Sequence, residues 1–183
     1  MTEPIPESSP HSHARMTGAV YLLYFLTAVI AQVLASRKLV VFGQAGNVIA
    51  DVVYLVLTLL LYFLFKPVSK AISLIAALFS VAGCTIGLLD IFHLASSVSP
   101  LLFFGWYCLA IGILILRSKF LPRPLGWLMA AAGIGWLAFL IPPIAQHLSM
   151  PIQALGILAE LSLMLWLLVK GVNEEQWKEQ AAL

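Results

Sequence analysis

The chain has 183 residues, 62% of them hydrophobic and only 10% charged, with a mean hydropathy of +1.01. Soluble domains average about 45 to 50% apolar and about 25% charged, and in water this chain would expose more apolar surface than its charges offset, so a soluble globule is excluded. A net charge of +2 with scattered Lys and Arg also lacks the basic stripe that nucleic-acid binding needs, which leaves the lipid bilayer as the expected partner.

Residues 1–14 carry Pro4, Pro6, Pro10 and several serines with almost no apolar content, a composition that cannot offset the entropy of ordering. A disordered N-terminal tail is expected there. No basic region leads into a short apolar core and a small-residue cleavage site, so the first apolar run is expected to be a retained anchor rather than a signal peptide.

A helix crossing about 30 Å of hydrocarbon takes about 20 mostly apolar residues. Such runs recur at Met16 to Ala35, Asn47 to Phe65, Ala71 to Leu94, Leu101 to Leu116, Leu125 to Ala145 and Ile152 to Val169. Charge or proline ends each at Ser36-Arg37-Lys38, Lys66-Pro67, Ser96 to Pro100, Arg117 to Pro124 and Met150-Pro151. Pro142 and Pro143 fall inside the fifth run, so that helix is expected to kink or end early, with Gln146 and His147 at the surface. The domain plan is a tail over 1–14, a transmembrane domain over 15–171 and a short C-terminal tail over 172–183. That tail is either a surface helix around Trp177 or a solvated strand of chain.

Short loops on one side would hold Arg15, Lys66, Lys70, Arg117, Lys119, Arg123, Lys170 and Lys178, and those on the other only Arg37 and Lys38. The excess places both termini in the cytoplasm. The fold class is therefore all-α: a polytopic transmembrane helical bundle of six spans with both termini cytoplasmic. FKPVSK at 65–70 and RSKFLPRP at 117–124 are similar turns, but topology alone produces that likeness. Cys84 and Cys108 lie inside apolar runs and act as small hydrophobes.

Within lipid, helices meet through small residues and polar side chains. Ser73, Ala76, Ser80, Gly83, Gly87 and Asp90 share one stripe of the third span, which includes the Gly83-x-x-x-Gly87 spacing. Asn47, Asp51, Tyr54, Thr58 and Tyr62 share one on the second. Gly105, Cys108 and Gly112 do so on the fourth, and Gln153, Gly156, Glu160 and Met164 on the sixth. All are expected to face the bundle interior.

Three carboxylates, Asp51, Asp90 and Glu160, stand in runs without Lys or Arg. An ionised Asp at a helix centre costs roughly 2.5 to 3.5 kcal/mol on insertion scales. Counted at about 1.5 Å per residue, Glu160 lies about 12 Å and Asp51 and Asp90 about 6 to 8 Å from the outer ends of their spans, all in the outer half. His93 is spaced to pair with Asp90.

Two readings follow. In one, Asp51, Asp90, His93, Glu160, Tyr54 and Asn47 form an outward-facing ligand site for a proton, a cation or a cationic small molecule, as in a carrier or sensor. In the other, the acids only hold helices together in a structural or partner-binding subunit, as a homo-oligomer or with another membrane protein. A metal or haem site from Asp90, His93, His147 and Glu160 has suitable ligand types. Neither histidine has a second one turn away, however, and no metal or cofactor is expected. With no nucleophile elbow and no His-Glu-x-x-His helix, no catalytic residue is assigned and an enzyme is not expected.

ARMTGAVYLL at 14–23, LYFLFKPVSK at 61–70, FFGWYCLAIGILI at 103–115, SKFLPRPLGWLMAAAGIGWL at 118–137 and ELSLMLWLLVKGVN at 160–173 together resemble a bacterial membrane protein family, the domain of unknown function family DUF4386. The resemblance runs from about Ala14 to Asn173, and FLPRPLG and ELSLMLWLLVKGVN are its most specific parts. It implies a small multi-pass protein of the bacterial cytoplasmic (inner) membrane, with no activity, substrate or catalytic residue to carry over. The chain departs from the family pattern in its shorter outer loops, and Tyr107 and Cys108 stand where a histidine is frequent, which weakens a haem or metal reading.

Overall fold

The computed structural model of the protein describes residues 9–92, 94 and 99–182. Those residues form seven helices and no strand: α1 (Pro10–Ser36), α2 (Val40–Phe65), α3 (Lys70–Ile91), α4 (Pro100–Arg117), α5 (Arg123–Ala138), α6 (Pro142–Val169) and α7 (Glu174–Ala181). Five of them, α1, α2, α3, α4 and α6, are long and apolar enough to cross a membrane. The 16-residue α5 is about 24 Å long, short of a full hydrocarbon core, so six spans is an approximate count. Leu23, Leu26, Ile30 and Val33 on α1, and Val52, Val56, Leu59 and Phe63 on α2, are exposed apolar stripes at helical spacing. The chain is a membrane protein whose outer helix faces meet lipid.

Local chemistry sets the ends. Side chains of Ser9, Ser69, Ser99 and Asn173 accept from backbone N–H groups in the first turns of α1, α3, α4 and α7, which satisfies donors that a helix start leaves free. Proline occupies the first turns of α1, α4, α5 and α6, where its missing N–H costs nothing.

This use of proline corrects two boundaries read from the sequence, the starts of α1 and α6, and bears out a third. Helix α1 begins at Pro10, so residues 10–14 are helical rather than tail; residues 1–8 lie outside the described residues. The fifth helix does end early, at Ala138. Helix α6 starts at Pro142 and continues through Pro151, so Met150-Pro151 lies inside a helix and is not a break between spans. Within lipid, neighbouring groups tolerate such an interior proline.

Each helix from α1 to α6 packs on its sequence neighbours, and α6 returns to pack on α1. The six form a closed ring whose interior is filled by side chains, among them Leu57, Leu61, Ile111, Leu114, Met129, Leu163 and Leu167, with no central helix. Both ends of the described chain consequently meet at one end of the ring, where the carbonyls that finish α2, α4 and α6 need donors. His13 donates to the Leu60 carbonyl (3.1 Å) and Trp177 to that of Leu64 (2.9 Å). Arg15 donates to Leu168 (3.2 Å), His11 to Val172 (3.3 Å) and Gln180 to Arg117 (3.2 Å). Helix α7 and the start of α1 thus act as side-chain caps for three other helices. Gly171 closes α6 at φ 66°, and a Cβ there would lie 2.7 Å from His11 Nδ1.

The tightest seams are not the one that the sequence pattern picked out. A Cβ on Gly87 would meet nothing within 4 Å, and one on Gly83 would only touch Phe103 at 3.5 Å. The buried part of the α3 stripe is Ser73, Ala76 and Ser80; beyond it the stripe is only half-buried. The close approaches are α1 on α6 at Gly18, α1 on α2 at Gly43 and Gly46, and α4 on α5 at Gly105, Gly112, Gly126 and Gly133.

Candidate functional site

Glu160 projects from α6 into the ring interior and is only 5% exposed. Gly156 and Met164, on the same α6 face, are buried with it, whereas Gln153 at the start of that stripe is exposed. Around the carboxylate stand side chains from three other helices: Tyr21 and Tyr24 of α1, Tyr54 of α2, and Tyr107 and Cys108 of α4, all within its electrostatic reach.

The rings interlock. Tyr24 and Tyr54 have centroids 4.7 Å apart, Tyr54 and Tyr107 5.9 Å, Tyr107 and Phe104 6.0 Å, and Phe104 and Trp136 5.5 Å. The Tyr54–Tyr107 and Phe104–Trp136 pairs are edge-on, a favoured aromatic geometry. This aromatic chain runs from α1 to α5 across the middle of the bundle. Gly156 makes room for its far end, since a Cβ there would lie 2.5 Å from the Trp136 ring.

The polar atoms in this setting lack partners. The hydroxyls of Tyr21, Tyr54 and Tyr107, the indole N–H of Trp136 and Oε1 of Glu160 are all buried with no hydrogen bond from the described residues. Neither Tyr21 with Glu160 nor Tyr54 with Tyr107 forms a hydrogen bond. One turn further along α2, Thr58 Oγ1 does find Ser80 Oγ of α3 at 2.5 Å, so polar pairing is achieved beside the cluster and not within it.

Of the residues singled out from the sequence, Glu160 and Tyr54 come together. Asp51 and Asn47 are half-buried on the same α2 stripe, and Asp51 reaches Tyr24 and Cys84 electrostatically, which puts it at the edge of the cluster. Asp90 is half-buried in the last turn of α3, away from the cluster, and His93 lies outside the described residues. The depth of Glu160 also changes. Because α6 begins at Pro142 and not at Ile152, Glu160 lies about five turns from that end and about two and a half from Val169, so it belongs to the half of the helix nearer α7 and not to the outer half. Among the described residues, no three His, Cys, Asp or Glu side chains gather to hold a metal ion.

Tyr21, Tyr107 and Trp136 were not among the site residues read from the sequence. A signal for the tyrosines exists: tyrosine favours membrane interfaces, so one placed mid-run asks for an interior explanation, and Tyr21, Tyr54 and Tyr107 are all so placed.

Residues 85–171 match the family model described as Domain of unknown function (DUF4386). The match covers the end of α3, then α4, α5 and α6, and so includes Tyr107 and Glu160 but not Tyr21 or Tyr54. A protein of Archaeoglobus fulgidus (strain ATCC 49558 / DSM 4304 / JCM 9628 / NBRC 100126 / VC-16), described as "Uncharacterized protein", is 29% identical over 147 residues, covering 75% of this chain and 89% of that protein. No solved structure matches the chain. The family that the sequence segments resemble is thus the one whose model the chain matches: DUF4386, over residues 85–171.

Proposed function

We propose that the protein binds a proton, a small cation or a cationic small molecule at Glu160 inside the helix ring, as a carrier or sensor of the bacterial cytoplasmic membrane with both termini in the cytoplasm. One observation carries this reading: a carboxylate oxygen from α6 and three tyrosine hydroxyls from α1, α2 and α4 lie buried in the ring interior without a hydrogen bond from the described residues. A buried polar group left unpaired costs about 1 to 3 kcal/mol, more when charged. Four at one place in a lipid-embedded bundle make a strong case for a polar guest, because intramembrane acids mark ion and proton paths. The carboxylate supplies charge and selectivity for cations, and the hydroxyls supply neutral oxygens around it. Asp51, at the cluster's edge, is the natural relay toward the opposite end of the bundle from α7.

The test is thermal unfolding of the purified full chain in nanodiscs, scanned over pH and a panel of monovalent, divalent and organic cations, for wild type and Glu160→Gln. A ligand held only by the folded state raises the midpoint by mass action. A pH or cation response in the wild type that disappears in Glu160→Gln supports the reading. Identical behaviour across the panel overturns it in favour of a structural or partner-binding subunit, to be pursued by capture of membrane protein partners.

A further inference from the structure

At the α7 end of the ring lies a groove of about 1040 Å³. It is walled by the start of α1 (Ser9, Pro10, His13), the end of α2 (Phe63, Leu64, Lys66), the following turn and α3 start (Pro67, Lys70), and α7 (Trp177, Lys178, Gln180, Ala181). Lys66, Lys70 and Lys178 are exposed, and none pairs with a carboxylate among the described residues, where the ion pair present joins Lys119 to Glu179.

Helix polarity adds to this charge. The groove holds the N-terminal, positive ends of α1 and α3, while the Leu60 and Leu64 carbonyls near the α2 end accept from His13 and Trp177. Three lysines and no carboxylate line the groove among the described residues. The groove floor is apolar through Leu64, Pro67 and Trp177, and at its lip Phe63 is 52% exposed on the lipid face of α2.

We propose that this groove binds the headgroup of an anionic phospholipid. Lys66, Lys70 and Lys178 meet the phosphate, and Phe63 and Trp177 line the path by which the glycerol and first acyl carbons rejoin the bilayer. Charge complementarity selects the anion, and the continuity of the groove with the lipid-facing side of α2 selects a lipid over a soluble anion. Basic pockets between membrane helices recognise headgroups in this way. The groove shares no lining residue with the Glu160 cluster, so it stands or falls separately from the proposed cation site.

The test follows the thermal midpoint of the full chain in detergent micelles doped with equal mole fractions of dioleoyl-phosphatidylglycerol or dioleoyl-phosphatidylcholine. Phosphatidylglycerol is expected to raise the midpoint above phosphatidylcholine. The difference is expected to fall by more than half in Lys66→Gln/Lys70→Gln/Lys178→Gln, and to persist in Lys119→Gln/Lys170→Gln. If the triple variant does not fold in phosphatidylcholine, Lys178→Gln alone is used, and raising salt to about 0.5 M should erase the wild-type difference through screening. Equal shifts in both lipids, a difference untouched by the groove lysines, or full reproduction of the shift by inorganic phosphate without lipid each overturn the proposal. Glu3 and Glu7 lie outside the described residues. A phosphatidylglycerol effect that emerges only in Glu3→Gln/Glu7→Gln would assign the groove to the chain's own acidic segment and overturn it as well.

Discussion

Gly112 of α4 and Gly126 of α5 are packed reciprocally. A Cβ on Gly112 would lie 2.9 Å from the Gly126 carbonyl oxygen, and one on Gly126 would lie 3.0 Å from that of Gly112. Two helical turns along the same seam, Gly105 and Gly133 repeat the arrangement, with each carbonyl about as close to the other's missing Cβ. Seven-residue spacing on both antiparallel helices brings the pairs into register, and such contact allows Cα–H···O interactions where lipid gives no hydrophobic drive.

The obstructing atoms there are backbone and cannot swing aside. Gly112→Ala and Gly133→Ala are expected to cost about 1 to 3 kcal/mol each through overpacking. Gly87→Ala, which meets nothing, is expected to be neutral or to gain up to about 1 kcal/mol from helix propensity. Unfolding titrations in mixed micelles rank the three, and an equal loss at all three positions would refute the assignment of the seam.

Lys38 turns the chain from α1 to α2 at φ 64°, with the following amide returning to the Leu34 carbonyl at 3.1 Å. A side chain in that left-handed conformation costs about 1 to 2 kcal/mol, against which glycine's extra unfolded freedom weighs about 0.4 to 1 kcal/mol. Lys38→Gly is therefore expected to raise stability by about 0.5 kcal/mol and Lys38→Val to lower it, both read from thermal midpoints.

Trp177 ties α7 to the end of α2 through its indole N–H. Trp177→Phe keeps most of the ring but leaves the Leu64 carbonyl without that donor, an expected loss of about 1 kcal/mol. Faster proteolysis of the α7 segment in the variant is the accompanying readout. A variant as protected and as stable as wild type would show that the cap contributes nothing.

The tyrosine hydroxyls give a test that the carboxylate alone does not. They accept or donate no hydrogen bond among the described residues, so Tyr107→Phe removes no partner seen there and is expected to leave the ligand-free midpoint equal or slightly higher. Under the proposed function, the same change weakens the cation or pH response of the wild type. A large loss of ligand-free stability would instead indicate a hydroxyl bonded within the protein.

Much of this architecture is legible in the sequence. Apolar runs and their charged breaks give the helices, and the early stop at Ala138 follows from the Pro142-Pro143 pair. Proline is ambiguous in the same text, however. Pro10 and Pro142 start helices, Pro151 sits inside one, and only the carbonyls and donors around each decide which. Glu160 stands out as an acid in a run without cations, but its depth depended on where α6 begins. Its tyrosine neighbours come from helices more than 50 residues away in sequence, brought together by closure of the ring, which no local pattern records. The Gly83 and Gly87 spacing suggested close packing that α3 does not make, whereas the matched seven-residue glycine spacings of α4 and α5 were visible and more informative.

Closure of the ring also orders assembly. Helices leave the ribosome from the N-terminus onward, so α1 to α5 enter the bilayer while the seam between α6 and α1 does not yet exist. Until α6 arrives, Tyr21, Tyr54 and Tyr107 border an open slot, and lipid tails have nothing to offer their hydroxyls. Insertion of α6 seals the slot, sets Gly18 against Leu168 and delivers Glu160 to the tyrosines in one event, so maturation of the interior waits on α6.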